Sequence, residues 1–192
     1  MQGQGIRKIL CLVILVLTFL TVACSSTSNY TGYERDIIAG KQLLRQGDYT
    51  EARSDFLKAA GHEKRPEALA LAATASYKLN DLPAAAQYIA EAERAGKLNF
   101  SYFRVTGYKA LLLLQEGKKE EGLKTLGEYI QAYKKTFDSD TLSEVEFMRK
   151  RGTVDLPRLE MLIDRQVADY ENAMDQGSKT GTGSTKELQY RQ

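Results

Sequence analysis

The sequence predicts an all-α fold of stacked helical hairpins, and three observations carry that prediction. A unit recurs along the chain: Leu44-Arg45-Gln46-Gly47-Asp48-Tyr49-Thr50-Glu51-Ala52 is followed by Phe56 and Ala59. It returns as Tyr77-Lys78-Leu79-Asn80-Asp81-Leu82-Pro83-Ala84-Ala85 with Ile89 and Ala92, and as Leu114-Gln115-Glu116-Gly117-Lys118-Lys119-Glu120-Glu121-Gly122 with Leu126 and Tyr129. Its turn residues Gly47, Asn80 and Gly117 lie 33 and then 37 residues apart. After Phe137 the period is lost, but apolar residues still recur at three- and four-residue steps, and only Pro66, Pro83 and Pro157 punctuate the chain.

The first element, residues 1–23, is not part of that fold. Arg7 and Lys8 precede an apolar run from Ile9 to Ala23 that ends in Thr21-Val22-Ala23-Cys24 and gives way to Ser25-Ser26-Thr27-Ser28. The run is short for a transmembrane helix, which needs roughly 20 apolar residues, and reads as a cleaved secretory signal. The cut site resembles the lipobox of bacterial lipoproteins, with Thr21 where that motif usually has Leu and Leu20 one residue upstream. The resemblance implies a diacylglycerol thioether on Cys24, cleavage before it, and acylation of the new N-terminus. Ser25 in the next position implies passage to the outer membrane, facing the periplasm. Thr21 and Ala23 also fit the small-x-small cut of an ordinary secreted protein, and an uncleaved signal anchor is the third possibility. Cys11 leaves with the signal and lipid occupies Cys24, so no disulfide is expected in the mature chain. Residues 24–32 are expected to be the lipidated cysteine and a polar tether.

The repeats are placed at 33–137. Gly47 and Gly117 stand where a helix must end and reverse, a position that favours a residue tolerating positive φ, and Asn80 is the next-best choice. Ala52 and Ala85 are small where two helices cross closely, and Phe56, Ile89 and Leu126 fill the space one turn further on. Gly40, Ala73 and Ala110 recur in the first helices for the same close contact. These positions resemble the tetratricopeptide repeat, whose period is about 34 residues. The resemblance implies a right-handed superhelical solenoid of about three helix-turn-helix units. The third copy departs from the pattern, with Gly122 for Ala, Tyr129 for a small residue, and a longer join, Ala95-Gly96-Lys97-Leu98-Asn99. That unit is expected to sit rotated relative to the other two.

Residues 138–176 are read as two further helices. Ser139 or Asp140 caps the first, which runs to about Arg151 with Leu142, Val145, Phe147 and Met148 as its apolar side. Asp155 caps the second, with Pro157 in its first turn and a stripe of Leu156, Leu159, Ile163, Val167, Tyr170 and Met174. The stripe either covers the open end of the array or docks a partner or a second copy of the chain. Residues 177–192, rich in Gly, Ser and Thr, are expected to be disordered.

Composition narrows the function. Loss of residues 1–23 removes Arg7 and Lys8 and no acid, so 27 basic against 25 acidic residues becomes 25 against 25. A neutral chain with interspersed charges excludes a typical nucleic-acid binder. Arg149-Lys150-Arg151 reads as a solvated helix end, where positive charge suits the helix dipole. His62, the only histidine, falls in the join between first and second units and reads as a solvated loop residue. No nucleophile with its base, metal-ligand cluster or phosphate-cradling glycine motif is found, so no catalytic residue, metal, cofactor or small-molecule substrate is expected.

By resemblance to the repeat family, the concave face is lined by Ile37, Lys41, Leu44 and Arg45, by Thr74, Tyr77 and Lys78, and by Arg104, Tyr108, Leu111 and Leu114. About half of these are expected to be buried against neighbouring helices. The rest suit a peptide with apolar anchors and some acidic character. Ile37 and Thr74 break the pattern of the family's carboxylate clamp for chaperone tails. The expected function is that of a membrane-anchored, non-catalytic adaptor in a pilus, secretion, outer-membrane or cell-wall assembly. The rival class is a structural subunit that oligomerises or docks permanently through its C-terminal helices.

Overall fold

The structure, a computed structural model, describes residues 30–136 and 140–180. The signal segment, Cys24 and the tail beyond Thr180 lie outside the described residues. Every regular element among those described is helical. Helix α1 covers 30–46, followed by α2 (Tyr49–His62), α3 (Pro66–Lys78) and α4 (Leu82–Ala95). A short 3-10 turn (Asn99–Ser101) leads into α5 (Tyr102–Gln115), α6 (Lys119–Thr136), α7 (Asp140–Arg151) and α8 (Leu156–Thr180).

Three of the joins are chemically the same. Gly47, Asn80 and Gly117 have φ of 87°, 58° and 78°. The amides of Asp48, Asp81 and Lys118 donate to the carbonyls of Leu43, Ser76 and Leu113, and those of Gly47, Asn80 and Gly117 donate to Leu44, Tyr77 and Leu114. This is the Schellman pattern, which satisfies carbonyls that the helix end leaves open. The positive φ is easy for glycine and tolerable for asparagine. The helix that follows starts at once: Asp81 Oδ1 accepts from the Ala84 amide, with Pro83 in the first turn.

The tight turns bring consecutive helices side by side, and the small residues let them close. Ala52, Ala59, Ala85 and Ala92 are fully buried, as are Phe56 and Leu126. On α1, a Cβ at Gly40 would lie 2.5 Å from the Phe56 ring, so only glycine permits that approach. The hairpins α3/α4 and α5/α6 pack closely, α2 lies against α3, and α5 touches both α3 and α4. The third unit's departures have local causes. At Gly122 a Cβ would come within 2.7 Å of Leu114 Cγ, so alanine there would push that side chain aside. Tyr129 fills space because what packs on α6 is α7 and α8 rather than another hairpin.

Three expectations need correction. Residues 30–32, assigned to the tether, form the start of α1. Residues 177–180, assigned to the disordered tail, continue α8. His62 is the last residue of α2, and its Nε2 lies 3.2 Å from Asp36 Oδ2 on α1. Arg149, Lys150 and Arg151 are the exposed last turn of α7, as expected, and Arg149 Nε also donates to the Leu123 carbonyl of α6 with its guanidinium over Gly127.

Candidate functional site: an inner face closed by the last helix

The residues that α3 and α5 turn inward are covered by α8. The contacts descend along α8 as they ascend along α5, so the two helices run antiparallel. Arg104 Nε and Nη2 donate to Glu171 Oε1 at 3.0 and 2.8 Å, and Ile163 lies against Gly107. The Tyr108 hydroxyl donates to Asp164 Oδ1 at 2.5 Å. From α3, Lys78 Nζ donates to Glu160 and Asp164 at 2.6 and 2.7 Å. On the α6 side, the buried Gln166 accepts from the Tyr129 hydroxyl at 2.8 Å and donates to Thr141.

Beneath these polar contacts the apolar stripe is consumed. Leu159, Ile163, Val167 and Tyr170 are buried, and Phe103 of α5 meets Tyr170 edge to face with ring centroids 4.7 Å apart. Each such side chain contributes about 1.5–3 kcal/mol on burial, an upper range because the unfolded chain already hides some surface.

Burial and charge set the ionisation of the face. Burial, reinforced by Asp164, pushes the Tyr108 hydroxyl well above its ordinary value, and burial holds Tyr77 up at about 12. For Lys78 burial works downward, but hydrogen bonds from Asp164 and Glu160 outweigh it and leave the ammonium more basic than usual. The same opposition, with Glu171 as the partner, leaves Arg104 raised. These are structural ion pairs: each cation of the inner face is matched by an acid on the helix that covers it.

Of the eleven residues expected to line the concave face, Ile37, Thr74, Tyr77, Arg104, Tyr108 and Leu111 are buried. Ile37 packs in the cluster of α1, α2 and α3, while Arg104 and Tyr108 lie under α8. Lys41, Leu44, Lys78 and Leu114 are half-buried, and only Arg45 is exposed. Tyr108 and Leu111 are therefore interior residues and cannot meet a partner directly.

A cleft of about 210 Å³ stays open between α1, α3, the start of α5 and the end of α8. Its walls are Lys41, Glu67, Phe100, Ser101, Arg104, Glu171 and Met174. Lys41 and Glu67 are paired at 2.7 Å on one side, Arg104 and Glu171 on the other, and Phe100 is exposed at the mouth. Sequence reasoning found Lys41 and Arg104 but missed Glu67, Phe100, Glu160, Asp164, Glu171 and Gln166. The signal for the last group was available: Glu160, Asp164 and Glu171 form an acidic row beside the apolar stripe, and Lys78 and Arg104 needed partners once buried.

Among the described residues no cluster of His, Cys, Asp or Glu is placed to hold a metal ion, and no helix is long and apolar enough to cross a membrane. No protein-family model and no curated protein matches the chain.

Proposed function

We propose that this chain is an envelope lipoprotein in which a tetratricopeptide-like solenoid acts as a non-catalytic adaptor. The observation that carries the solenoid reading is the threefold Schellman turn at Gly47, Asn80 and Gly117, in register with the buried Ala52/Phe56 and Ala85/Ile89 pairs and with Gly122/Leu126. The anchored reading rests on the Thr21-Val22-Ala23-Cys24 motif behind its basic and apolar segments. Anchoring raises the effective concentration of partners at the membrane, and the rigid array fixes their relative placement.

The burial of the α8 stripe moves the partner site. A peptide can still reach the cleft at Lys41, Glu67, Phe100 and Met174, where an apolar anchor would meet Phe100 and Met174 within a rim of ion pairs. The rival reading, permanent docking through the C-terminal helices, would have to use their outer faces, where Phe147 and Met161 are exposed.

Affinity capture from detergent-solubilised native envelopes tests the proposal. Acylated Cys24 in the N-terminal peptide together with a stoichiometric envelope partner supports it. An unmodified N-terminus removes the anchor, and loss of no partner on changing Phe100→Ser removes the cleft.

A further inference from the structure

We propose that the α1 end of the array is a membrane-docking surface, which holds the protein against the same bilayer that takes the Cys24 lipid. The proposal rests on the anchored reading given above. Because residue 30 already lies in α1, at most residues 25–29 separate Cys24 from that helix. A chain extends at most about 3.6 Å per residue, so Tyr30 stays within roughly 20 Å of the lipid-bearing residue. That short leash decides which part of the molecule faces the headgroups: the start of α1, and the end of α2 with the loop to α3 that packs beside it.

The surface presented there has the chemistry of an interfacial contact. Tyr30 and Ile38 are 51% and 63% exposed, and at a spacing of eight residues they share one face of α1. A tyrosine has an apolar ring with a polar tip and suits the boundary between headgroup and acyl chain, as an isoleucine beside it suits the acyl side. The guanidinium of Arg65 lies over the Tyr30 ring at 5.5 Å.

The charges around this stripe differ in how far they reach from the surface. Arg35 is 72% exposed and its partner Asp36 only 7%, while Lys58 is 59% exposed and its partner Asp55 only 18%. Arg65, 41% exposed, pairs with the less exposed Glu63. Glu34, on the same face of α1 as Tyr30 and Ile38, and Glu67, at the start of α3, are both 41% exposed and reach out as far as Arg65; Glu34 faces that cation and Glu67 pairs with Lys41. The two charges that reach furthest are therefore the cations Arg35 and Lys58, with their own acids inboard, and His62 lies against Asp36. Exposed cations at a surface held close to a bilayer attract phosphate headgroups, an attraction that works only within about a Debye length.

The test uses the absence of tryptophan from the chain. The chain from residue 24 onward is attached through Cys24 to a maleimide phospholipid, in vesicles of phosphatidylethanolamine and phosphatidylglycerol with brominated acyl chains. A single indole is introduced by Ile38→Trp, or for comparison by Phe147→Trp on α7. Docking predicts that bromine roughly halves the emission of the first indole and leaves the second unchanged, since only an interfacial ring reaches the acyl chains. Raising the salt to about 1 M, where the Debye length is about 3 Å, or adding Arg35→Glu with Arg65→Glu, should restore the emission. Equal quenching at both positions, or none at position 38, overturns the proposal. The anchor here is installed chemically, so the result is independent of native acylation. Mass spectrometry of the native N-terminal peptide decides that separately: an unmodified Cys24 removes the anchored reading while the quenching still reports the surface.

Discussion

Asp164 of α8 accepts the buried hydroxyl of Tyr108 on one carboxylate oxygen, and its second oxygen takes Lys78 from the neighbouring hairpin. One side chain thus ties three helices together. Replacing it with alanine leaves the buried phenol without its acceptor and the mostly buried ammonium of Lys78 with Glu160 as its one carboxylate. Full burial of such a loss costs about 3–5 kcal/mol, and the partial exposure of Asp164 lowers the expectation for Asp164→Ala to about 1–3 kcal/mol. Urea unfolding checks it, with Asp164→Asn, which still accepts from Tyr108, falling between wild type and alanine.

At Gly107 the side chain of Ile163 on α8 packs directly against the backbone of α5. A Cβ there would lie 2.7 Å from Ile163 Cγ2 and 3.3 Å from the Tyr129 ring. Gly107→Ala improves helix propensity by about 1 kcal/mol but overpacks this contact, and a net loss of about 1–2 kcal/mol is expected. Ile163→Ala alone should also destabilise. Combined, the two should cost less than their sum, and a double-mutant cycle showing simple additivity would remove the contact from the argument.

Asn80 occupies the left-handed turn that glycine fills in the other two copies, and its Oδ1 accepts from Gln115 at the surface. Asn80→Gly should therefore change stability by less than about 0.5 kcal/mol. Asn80→Val places a β-branched side chain at φ 58° and should cost about 1–2 kcal/mol. Equal thermal midpoints for the two variants would show that the turn conformation is not limiting.

Alkaline pH attacks the interior through its tyrosines. Burial holds the hydroxyls of Tyr77 and Tyr133 up at about 12 and those of Tyr108 and Tyr129 well above the ordinary range. The unfolded chain ionises near pH 10, so it releases protons that the folded chain keeps. The stability linked to these groups is complete below about pH 10 and is lost as the pH rises through their raised values. Urea midpoints should fall steeply between about pH 9 and 12, and Tyr129→Phe should flatten that fall by removing one buried titrating group. A midpoint independent of pH over that range would contradict the burial.

The repeat positions were legible because each turn is decided locally. Gly47, Asn80 and Gly117 declare a left-handed residue, and Ala52 and Phe56 declare a close crossing within two turns of the same helix. The apolar stripe of α8 was legible for the same reason. Its destination was not. Whether Ile163 meets Gly107, a partner or solvent depends on how α7 turns the chain back, and periodicity carries no information on that path. Which of the eleven concave-face residues would be buried was not legible for the same reason: Tyr108 and Leu111 point inward, and the interior they point into is occupied by α8, while Lys41 and Arg104 line the open cleft.

The ion pair between Lys78 and Asp164 joins residues 86 positions apart. In a stack where each unit touches only its neighbours, an end can fray while the rest stays folded. Here α8 reaches back across two hairpins, so melting it uncovers both at once. Folding acquires an order in the same way. The inner face stays open until residues near 171 are available, and those are among the last of the described residues to leave the ribosome.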